Sequence, residues 1–326
     1  MIISRTPLRV SFAGGGTDLA SYYRSHGGGE VVSAALDRYV YVLVNEKFDR
    51  DIRVSYSKTA EYVQHVDQVS HPMVREAMRA TGVTEAVEIV TVSDIPAEGT
   101  GIGSSSSFAV GILNALWAFQ GKLQGPRELA EEACHIEIDQ LHEPAGKQDQ
   151  YAAAYGGLRH YTFLPDDHVS VEPLPLSRAE LERFESYLTL YYTGTTRRAG
   201  TILEEQNRRH QENAPALGEL RQLATRTREA ILRGDYEGMG RLLHEGWQLK
   251  KTLSTGISNP LIEGMYEKAR AAGALGGKVT GAGGGGFLLI AAPPEKSPQV
   301  AEALSQFRRV PVKVSPEGSR IVFVGR

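Results

Sequence analysis

A glycine- and serine-rich segment carries the residue types that a phosphate-binding loop needs. Gly99, Gly101 and Gly103 allow the backbone to turn tightly with its N–H groups directed toward a ligand. Four serines follow, and the apolar run 108–119 after them predicts a buried helix. The start of a helix offers unpaired N–H groups and a positive dipole end, and hydroxyls can donate to phosphate oxygens or ligate Mg²⁺. The serines that would take part are Ser104, Ser105, Ser106 and Ser107.

The same segment has a simpler interpretation as a glycine-rich turn followed by a serine that caps the helix, which is a common arrangement. Two familiar nucleotide loops are excluded. The segment is not a P-loop, because no GxxxxGK[ST] string occurs and no lysine follows these glycines. It is not the dinucleotide fingerprint either, because the loop after the preceding strand is long and contains Pro96 and Glu98.

A carboxylate lies on the apolar face of the helix predicted for residues 126–141. At about 100° per residue, Ala130, Cys134 and Leu141 share the face of Glu137, while the neighbouring charged residues point the other way. A carboxylate on that face must be paired or must bind a metal, because leaving it unpaired is costly. The pattern leaves two interpretations open, an internal salt bridge to an arginine and a ligand for Mg²⁺.

A second carboxylate, Asp149, follows Pro144 and Gly146, which predicts a junction between a loop and a helix. An aspartate at such a junction is commonly the N-cap of the helix. A carboxylate held in a fixed position is also what a general base for a hydroxyl nucleophile requires. Both interpretations stay open at this point.

The first elements that would position these residues are strands. Val40, Val42 and Val44 alternate with apolar neighbours, which predicts a strand buried on both faces. A second strand at 87–92 leads into the glycine loop, so the loop would connect a strand to the buried helix.

Glycines and prolines interrupt any long element between residues 155 and 185. We therefore expect a boundary there, with an N-terminal domain at 1–175 and a C-terminal domain at 176–326. After a strand near 186–192, the charged stretch 198–272 is predicted to be helical. A second glycine cluster and a further apolar strand follow it.

Composition narrows the possible partners. The 326 residues carry a net charge of −3, so no global basic surface indicates nucleic acid or an anionic membrane as a partner. Cys134 is the one cysteine, which excludes an intramolecular disulfide and a multi-cysteine zinc site. No charged leader with an apolar segment opens the chain and no apolar run reaches about 18 residues, so a cytoplasmic location is expected. The oligomeric state is left open.

Three segments, in the right order, resemble the motifs of the GHMP small-molecule kinases. They are Pro7-Leu-Arg-Val-Ser-Phe-Ala-Gly-Gly-Gly-Thr-Asp18, the loop from Pro96 to Ser106, and Lys278-Val-Thr-Gly-Ala-Gly-Gly-Gly-Gly-Phe287. The resemblance implies an α+β fold, in which an N-terminal ribosomal-S5-like α/β domain is followed by a C-terminal ferredoxin-like α+β domain. It also implies a site in the cleft between the two domains, and ATP with Mg²⁺ as cofactors.

The resemblance assigns roles position by position. Ser105 and Glu137 would ligate Mg²⁺, and the glycines and serines of residues 99–107 would hold the ATP phosphates. Asp149 would be the base or the orienting group for the attacking hydroxyl, with Arg9 as the basic residue that pairs with it. The positions that would bind the substrate are Gly15, Gly16, Thr17, Asp18, Gly281 and Gly283.

Within that family, the Gly-Gly-Gly-Thr-Asp string and the segments 142–151 and 193–199 are similar to the heptose 7-phosphate kinases. Such an enzyme would phosphorylate the anomeric C1 hydroxyl of a small phosphorylated sugar. Arg197 and Arg198, or else Lys147, are candidates to receive the sugar's own phosphate, because cations bind phosphate, although each is also compatible with an ordinary exposed charge. The alternatives are a kinase for another sugar such as fucose, an isoprenoid-type alcohol kinase, and a non-catalytic nucleotide or sugar sensor.

Overall fold

The computed structural model describes residues 1–56, 59–95, 99–196 and 199–325. The predicted phosphate receivers Arg197 and Arg198 lie outside these residues. The strands are β1 (Ile2–Ala13), β2 (Gly29–Glu46), β3 (Ile52–Tyr56), β4 (Thr59–Val63), β5 (Val87–Ser93), β6 (Leu158–Phe163), β7 (Val169–Pro173), β8 (Leu188–Tyr192), β9 (Gly276–Val279), β10 (Phe287–Ala291), β11 (Arg309–Pro311) and β12 (Arg320–Val324). The helices are α1 (Ala20–Tyr23), α2 (Pro72–Thr81), α3 (Ser104–Phe119), α4 (Pro126–Cys134), α5 (Gln148–Tyr155), α6 (Arg178–Ser186), α7 (Ala199–Arg208), α8 (His210–Leu232), α9 (Tyr236–Thr252), α10 (Pro260–Ala271) and α11 (Ser297–Ala303).

The large sheet is organised around β2, which is 18 residues long and pairs with three other strands, β1, β5 and β6. Its strand order is β12-β1-β2-β5-β3-β4, with β6 and β7 attached beside the first half of β2. Val40, Val42 and Val44 are buried, as the alternation predicted. The prediction that both faces are buried was wrong, because Tyr39, Tyr41 and Leu43 on the other face stay partly exposed. An antiparallel pairing allows one face of a sheet to remain near water.

The buried helix predicted after the glycine loop is α3, which packs against β1 and β2. Its one polar residue in the apolar run, Asn114, is buried and donates to the Ser319 hydroxyl at 2.9 Å. The helix predicted at 126–141 is interrupted, because α4 ends at Cys134 and a π-helical turn (His135–Gln140) continues it. Such widened turns are frequent at functional sites.

The small sheet contains β8, β9, β10 and β11 in the spatial order β11-β8-β10-β9, with every pair antiparallel. Four helices, α7 to α10, separate its first two strands and correspond to the helical stretch predicted at 198–272. With α11 before its last strand, this is the β-α-β-β-α-β arrangement of the ferredoxin-like fold.

The two halves of the chain are tied together at its ends. The last strand, β12, is not part of the small sheet. It pairs antiparallel with β1, where Ile2 lies opposite Val324. The predicted boundary at residue 175 falls between β7 and α6, and it stays a prediction. The return of the last strand to the first sheet was not anticipated. Among the residues described, no helix has the length and apolar character needed to cross a membrane.

Candidate active site

The start of α3 is open toward a cleft between the two sheets. Gly103 precedes the helix in the left-handed region, with φ at +76°, and no side chain caps the helix. The first helical bond runs from Ser107 N to Gly103 O at 2.9 Å, so the N–H groups of residues 104–106 come before any helical acceptor. The alternative of a serine N-cap is therefore wrong, because a glycine occupies that position and leaves the N–H groups available to an anion.

The four predicted serines differ in what they do. Ser105 is the exposed one, whereas Ser104, Ser106 and Ser107 are buried. The Ser107 hydroxyl donates to the carbonyl of Pro7 at 2.8 Å and thereby fixes the helix to β1. The N–H of Ser107 is also bonded to the Gly103 carbonyl. This geometry therefore gives no support to the prediction that Ser107 contacts a nucleotide.

Glu137 is buried at the widened turn and points toward the start of α3. Its Oε1 accepts from the Ser105 hydroxyl at 2.9 Å, and its Oε2 accepts from Gln150 Nε2 at 2.6 Å. Burial raises the pKa of Glu137 to about 7, against the opposing effect of hydrogen bonds from Ser106, Gln150 and Ser105. No lysine or arginine of the described ranges pairs with it, so the predicted salt bridge to an arginine is not found.

The Ser105 hydroxyl oxygen and Oε1 of Glu137 test whether the site fits Mg²⁺. A hydroxyl and a carboxylate oxygen 2.9 Å apart, at the rim of an anion-binding helix start, are hard ligands of the kind Mg²⁺ accepts. The described part of the chain has no cluster of three or more histidine, cysteine or acidic side chains able to hold a metal. This donor set suits a cation that takes its other ligands from phosphate and water.

Arg9 and Asp149 form a two-pronged ion pair beside the glycine loop. Arg9 Nε donates to Asp149 Oδ1 at 2.6 Å and Nη2 donates to Oδ2 at 2.5 Å. The third guanidinium nitrogen, Nη1, donates to the carbonyl of Gly101 at 2.6 Å, so one buried arginine connects the loop to the carboxylate. The N-cap alternative for Asp149 is wrong, because Lys147 precedes α5 and Asp149 lies in its first turn.

The second glycine cluster lies against the first one. A Cβ on Gly281 would stand 2.8 Å from the Cα of Gly101, and a Cβ on Gly286 would stand 2.2 Å from the carbonyl oxygen of Thr100. The Thr280 hydroxyl donates to the same carbonyl at 3.3 Å. Only glycine backbone can approach this closely, so the two loops form one wall of the cleft.

The N-terminal motif forms the opposite end of the cleft. Asp18 is 3 % exposed and accepts from Gly16 N at 3.0 Å and from Gln148 N at 3.3 Å. Burial, and then the negative charge of Asp149, raise the pKa of Asp18. The Thr17 hydroxyl donates to the carbonyls of Gly14 and Glu30, so Thr17 holds the loop together and is fully buried.

Gly16 and Asp18 line the cleft, together with Gly281 and Gly283 of the other loop. Gly15 is not among the lining residues. The cleft has a volume of about 920 Å³, which is in the range of sites that hold a nucleotide together with a small second ligand.

Several cleft residues were missed at the sequence level. Lys250 of α9 is buried and donates to the carbonyl of Gly281 at 2.9 Å, and burial lowers its pKa to about 8. Gln206 of α7 is also buried and lines the cleft. A signal for Lys250 did exist, because it lies within about 20° of Met239 and Leu243 on the buried stripe of its helix. A charged residue on the apolar face of a predicted helix was the pattern that identified Glu137, and the same pattern would also have identified Lys250.

The candidate Lys147 does not face the cleft. Its ammonium group donates to the backbone carbonyl and to Oδ1 of Asp167, both at 3.1 Å. It also lies over the ring of Tyr23. These contacts hold the ammonium group of Lys147 outside the acceptor end of the cleft.

The end of the cleft beyond the helix start is lined by rings. The His71 ring lies 4.8 Å from the Tyr56 ring and 5.3 Å from the Phe108 ring, measured between centroids. Burial lowers the pKa of His71, so the ring is neutral at pH 7. A neutral aromatic wall next to an anion-binding helix start suits a planar base attached to phosphates.

Comparisons with known proteins found similar sequences and a similar fold. Residues 61–157 match the GHMP kinases N terminal domain and residues 227–309 match the GHMP kinases C terminal family. The chain is 30 % identical over 316 residues to a D-glycero-alpha-D-manno-heptose 7-phosphate kinase of Campylobacter jejuni, covering 93 % of each chain. It is 27 % identical over 352 residues to an L-fucokinase/L-fucose-1-P guanylyltransferase of Bacteroides fragilis. That match covers 92 % of this chain and 35 % of the longer relative. A solved structure described as a D-glycero-D-manno-heptose 1-phosphate kinase from Bacteroides thetaiotaomicron superposes with a TM-score of 0.84 at 28 % identity, over 100 % of both chains.

Proposed function

The chain belongs to the GHMP kinases, and from that premise we propose that it uses ATP and Mg²⁺ to phosphorylate the anomeric C1 hydroxyl of a heptose 7-phosphate. The observation that carries the proposal is the Arg9–Asp149 pair, which is held between the open start of α3 and the polar pocket around Asp18. The similar proteins from Campylobacter and Bacteroides are both described as kinases of a heptose phosphate, although their descriptions place the substrate's phosphate at different carbons.

On the nucleotide side, the N–H groups of residues 104–106 would hold phosphate oxygens at the positive end of α3. Ser105 and Glu137 would hold Mg²⁺, which supplies neutralisation of the phosphate charge. The rings of Tyr56, His71 and Phe108 would bind the adenine base.

On the acceptor side, the anomeric oxygen attacks the terminal phosphorus while the bond to the ADP oxygen breaks, and the hydroxyl proton passes to an oxygen of Asp149. Arg9 donates to both carboxylate oxygens and so fixes the plane of the group. An anomeric hydroxyl is more acidic than an ordinary alcohol, so Asp149 serves to align that hydroxyl as well as to take its proton.

A sugar is favoured over an isoprenoid alcohol by the polarity of the acceptor pocket. Asp18, Gln148, Gln206 and Lys250 all line it, and within the described ranges Gln148 Oε1 and Gln206 Nε2 have no hydrogen-bond partner, which is costly unless a polar ligand satisfies them. An apolar alcohol would leave these polar atoms without hydrogen bonds. The match to a fucokinase keeps a second candidate, a kinase for an unphosphorylated sugar such as L-fucose.

The sugar's own phosphate needs a cationic receiver. Lys147 is bound to Asp167, so we keep Arg197 and Arg198 as the proposed receivers. We also propose that the enzyme works in the cytoplasm, where ATP is supplied.

The experiment is an ADP-release assay across D-glycero-D-manno-heptose 7-phosphate, the unphosphorylated heptose, D-mannose 6-phosphate, L-fucose and mevalonate. We expect the highest kcat/KM for the heptose 7-phosphate, and a phosphorus NMR signal coupled to the anomeric proton of the product. A new ester at another carbon overturns the C1 assignment, and a preference for fucose establishes the second candidate. Nucleotide binding without ADP release on any acceptor establishes a sensor.

A further inference from the structure

Two side chains from the C-terminal half reach the acceptor pocket without an assigned role. Lys250 of α9 is 6 % exposed and Gln206 of α7 is 4 % exposed, so both side chains are buried. Lys250 Nζ donates to the Gly281 carbonyl at 2.9 Å, which uses one of its three donors. Gln206 Nε2 has no hydrogen-bond partner anywhere in the described ranges.

The two heads converge on the Gly15–Gly16 backbone. A Cβ on Gly15 would lie 3.6 Å from Lys250 Nζ and 3.8 Å from Gln148 Nε2, and a Cβ on Gly16 would lie 3.8 Å from Gln206 Oε1. These glycines have no side chains to fill that space, and the buried carboxylate of Asp18 lies in the same pocket. The polar heads of Lys250, Gln206 and Gln148 therefore lie close to one another, with Asp18, along the lining of the same cleft.

Unsatisfied buried polar groups are costly, and a site that keeps them is selective for a ligand that satisfies them. Adjacent hydroxyls of a sugar are suited to this, since each can donate to a carboxylate or amide oxygen and accept from an ammonium or amide N–H. Resting on the proposed kinase function, we infer that Lys250 and Gln206 are acceptor-specificity residues, which bind hydroxyl groups of the sugar next to the one that Asp18 binds.

The charge of Lys250 provides an independent readout. Burial lowers the pKa of Lys250 to about 8, while Asp18 and Asp149 favour its charged form and Arg9 opposes it. Lys278 of β9 also lies near it and donates to the Ser11 carbonyl, and burial lowers the pKa of Lys278 well below its usual value. Without a charged donor the acceptor binds less well, so the KM for the acceptor rises as the pH passes about 8, and this rise disappears when Lys250 is replaced.

The test uses Lys250→Met and Gln206→Leu, which keep most of the side-chain stem and remove the polar head. We expect acceptor kcat/KM to fall about 10- to 100-fold for each, mostly through KM, with the KM for ATP within about twofold of wild type. The matched controls are Lys251→Met, whose ammonium group pairs with Glu263 instead, and Gln211→Leu, which is exposed on α8. Both controls should retain wild-type kinetics.

Mono-deoxy analogues of the heptose 7-phosphate locate each contact. Removing the hydroxyl that Lys250 binds should weaken the wild type about as much as Lys250→Met does, and should then have little further effect on that variant. The inference is overturned if both variants retain the wild-type acceptor KM and the wild-type response to every deoxy analogue.

Two further measurements keep the result decisive. If Lys250→Met does not fold, Lys250→Arg and Lys250→Gln replace it, and equal acceptor KM values for these two would also overturn the inference. If the wild type phosphorylates no sugar, the proposed function fails first. Calorimetric binding of heptose 7-phosphate then decides, because weaker binding to each variant supports the inference and equal binding overturns it.

Discussion

At the scale of single residues, the Arg9–Asp149 pair determines what the carboxylate can do. Two guanidinium nitrogens at 2.6 and 2.5 Å fix both oxygens of Asp149. Each oxygen still has a lone pair available to a substrate hydroxyl. Since the Asp149 side chain is 23 % exposed and that of Arg9 is 4 % exposed, the carboxylate is the member of the pair that faces the cleft.

Replacing Asp149 tests its role in proton acceptance. Asp149→Asn retains the shape but cannot take up the proton, so kcat should fall about 10²- to 10⁴-fold. ATP binding should be retained, because the phosphates would be held by the start of α3 and not by Asp149. Steady-state kinetics and titration with a fluorescent ATP analogue measure the two quantities.

The matched control is Asp167→Asn. Asp167 also receives two guanidinium nitrogens from one arginine, Arg24, but this pair lies at the surface. It should leave kcat within about twofold of wild type. A wild-type kcat in Asp149→Asn would remove the base assignment.

The residue scale is also where the sequence was most informative. Glu137 could be placed on a buried face, since a charge on an apolar helix stripe is visible in the spacing alone. The helix spacing could not predict the partners of Glu137, because Ser105 and Gln150 reach it from two other helices. The family resemblance placed Ser105 beside Glu137, and Gln150 was not anticipated. Gln206 was missed because an amide in a charged helix has no distinctive pattern.

At the scale of elements, two glycine clusters far apart in sequence make one wall of the cleft. Their close approach depends on the absence of side chains at Gly101 and Gly281. The sequence predicted each loop and the buried helix α3 after the first. It did not predict the widened turn after α4 or the partial exposure of one face of β2, because both depend on what packs against those elements.

Replacing Gly281 tests whether the wall must be this close. Gly281→Ala combines a φ of +66° with a Cβ 2.8 Å from Gly101 Cα. Stability should fall by about 1–2 kcal/mol from the backbone alone. The displaced loop should also lower kcat/KM by about 10- to 100-fold, because small misplacements of phosphate and acceptor are costly.

Gly234→Ala separates backbone strain from the loss of contact. Gly234 has a similar φ of +72° and nothing within 4 Å of the added Cβ. It should lose comparable stability in urea denaturation and retain wild-type kcat/KM. Equal kinetics for the two variants would show that the approach of the two loops does not matter for catalysis.

At the scale of the whole molecule, the two halves are joined by more than the cleft. The strand β12 closes onto β1, and α8 of the C-terminal half packs on β2 of the large sheet. Local patterns predicted two halves, but pairing between residues more than 300 apart has no local signature. A polar cluster at the α8–β2 contact is centred on Glu30, which accepts from Thr225 at 2.7 Å and from Arg221 at 3.1 Å and pairs with His160 at 3.2 Å.

This cluster predicts a pH-dependent contribution to stability. The hydrogen bond from His160, with those from Thr225 and Arg221, lowers the pKa of Glu30 to about 2, against 4.5 for an ordinary glutamate. Because the folded pKa is the lower one, the contribution is complete above pH 4.5 and is lost as the pH falls toward 2. Glu30→Gln should therefore lower the free energy of unfolding by about 1–2 kcal/mol at pH 7, and the difference from wild type should shrink below pH 4.5.

Urea denaturation at pH 7, pH 5 and pH 4 measures this difference, which should be equal at the first two values and smaller at the third. The control, Glu229→Gln, removes an exposed charge that pairs with Arg233, the residue that follows α8, and it should change stability by less than about 0.5 kcal/mol at every pH. If Glu30→Gln matched this control at pH 7, the polar cluster would not hold α8 on β2. The joining of the halves would then depend on the apolar core and the closure of β12 alone.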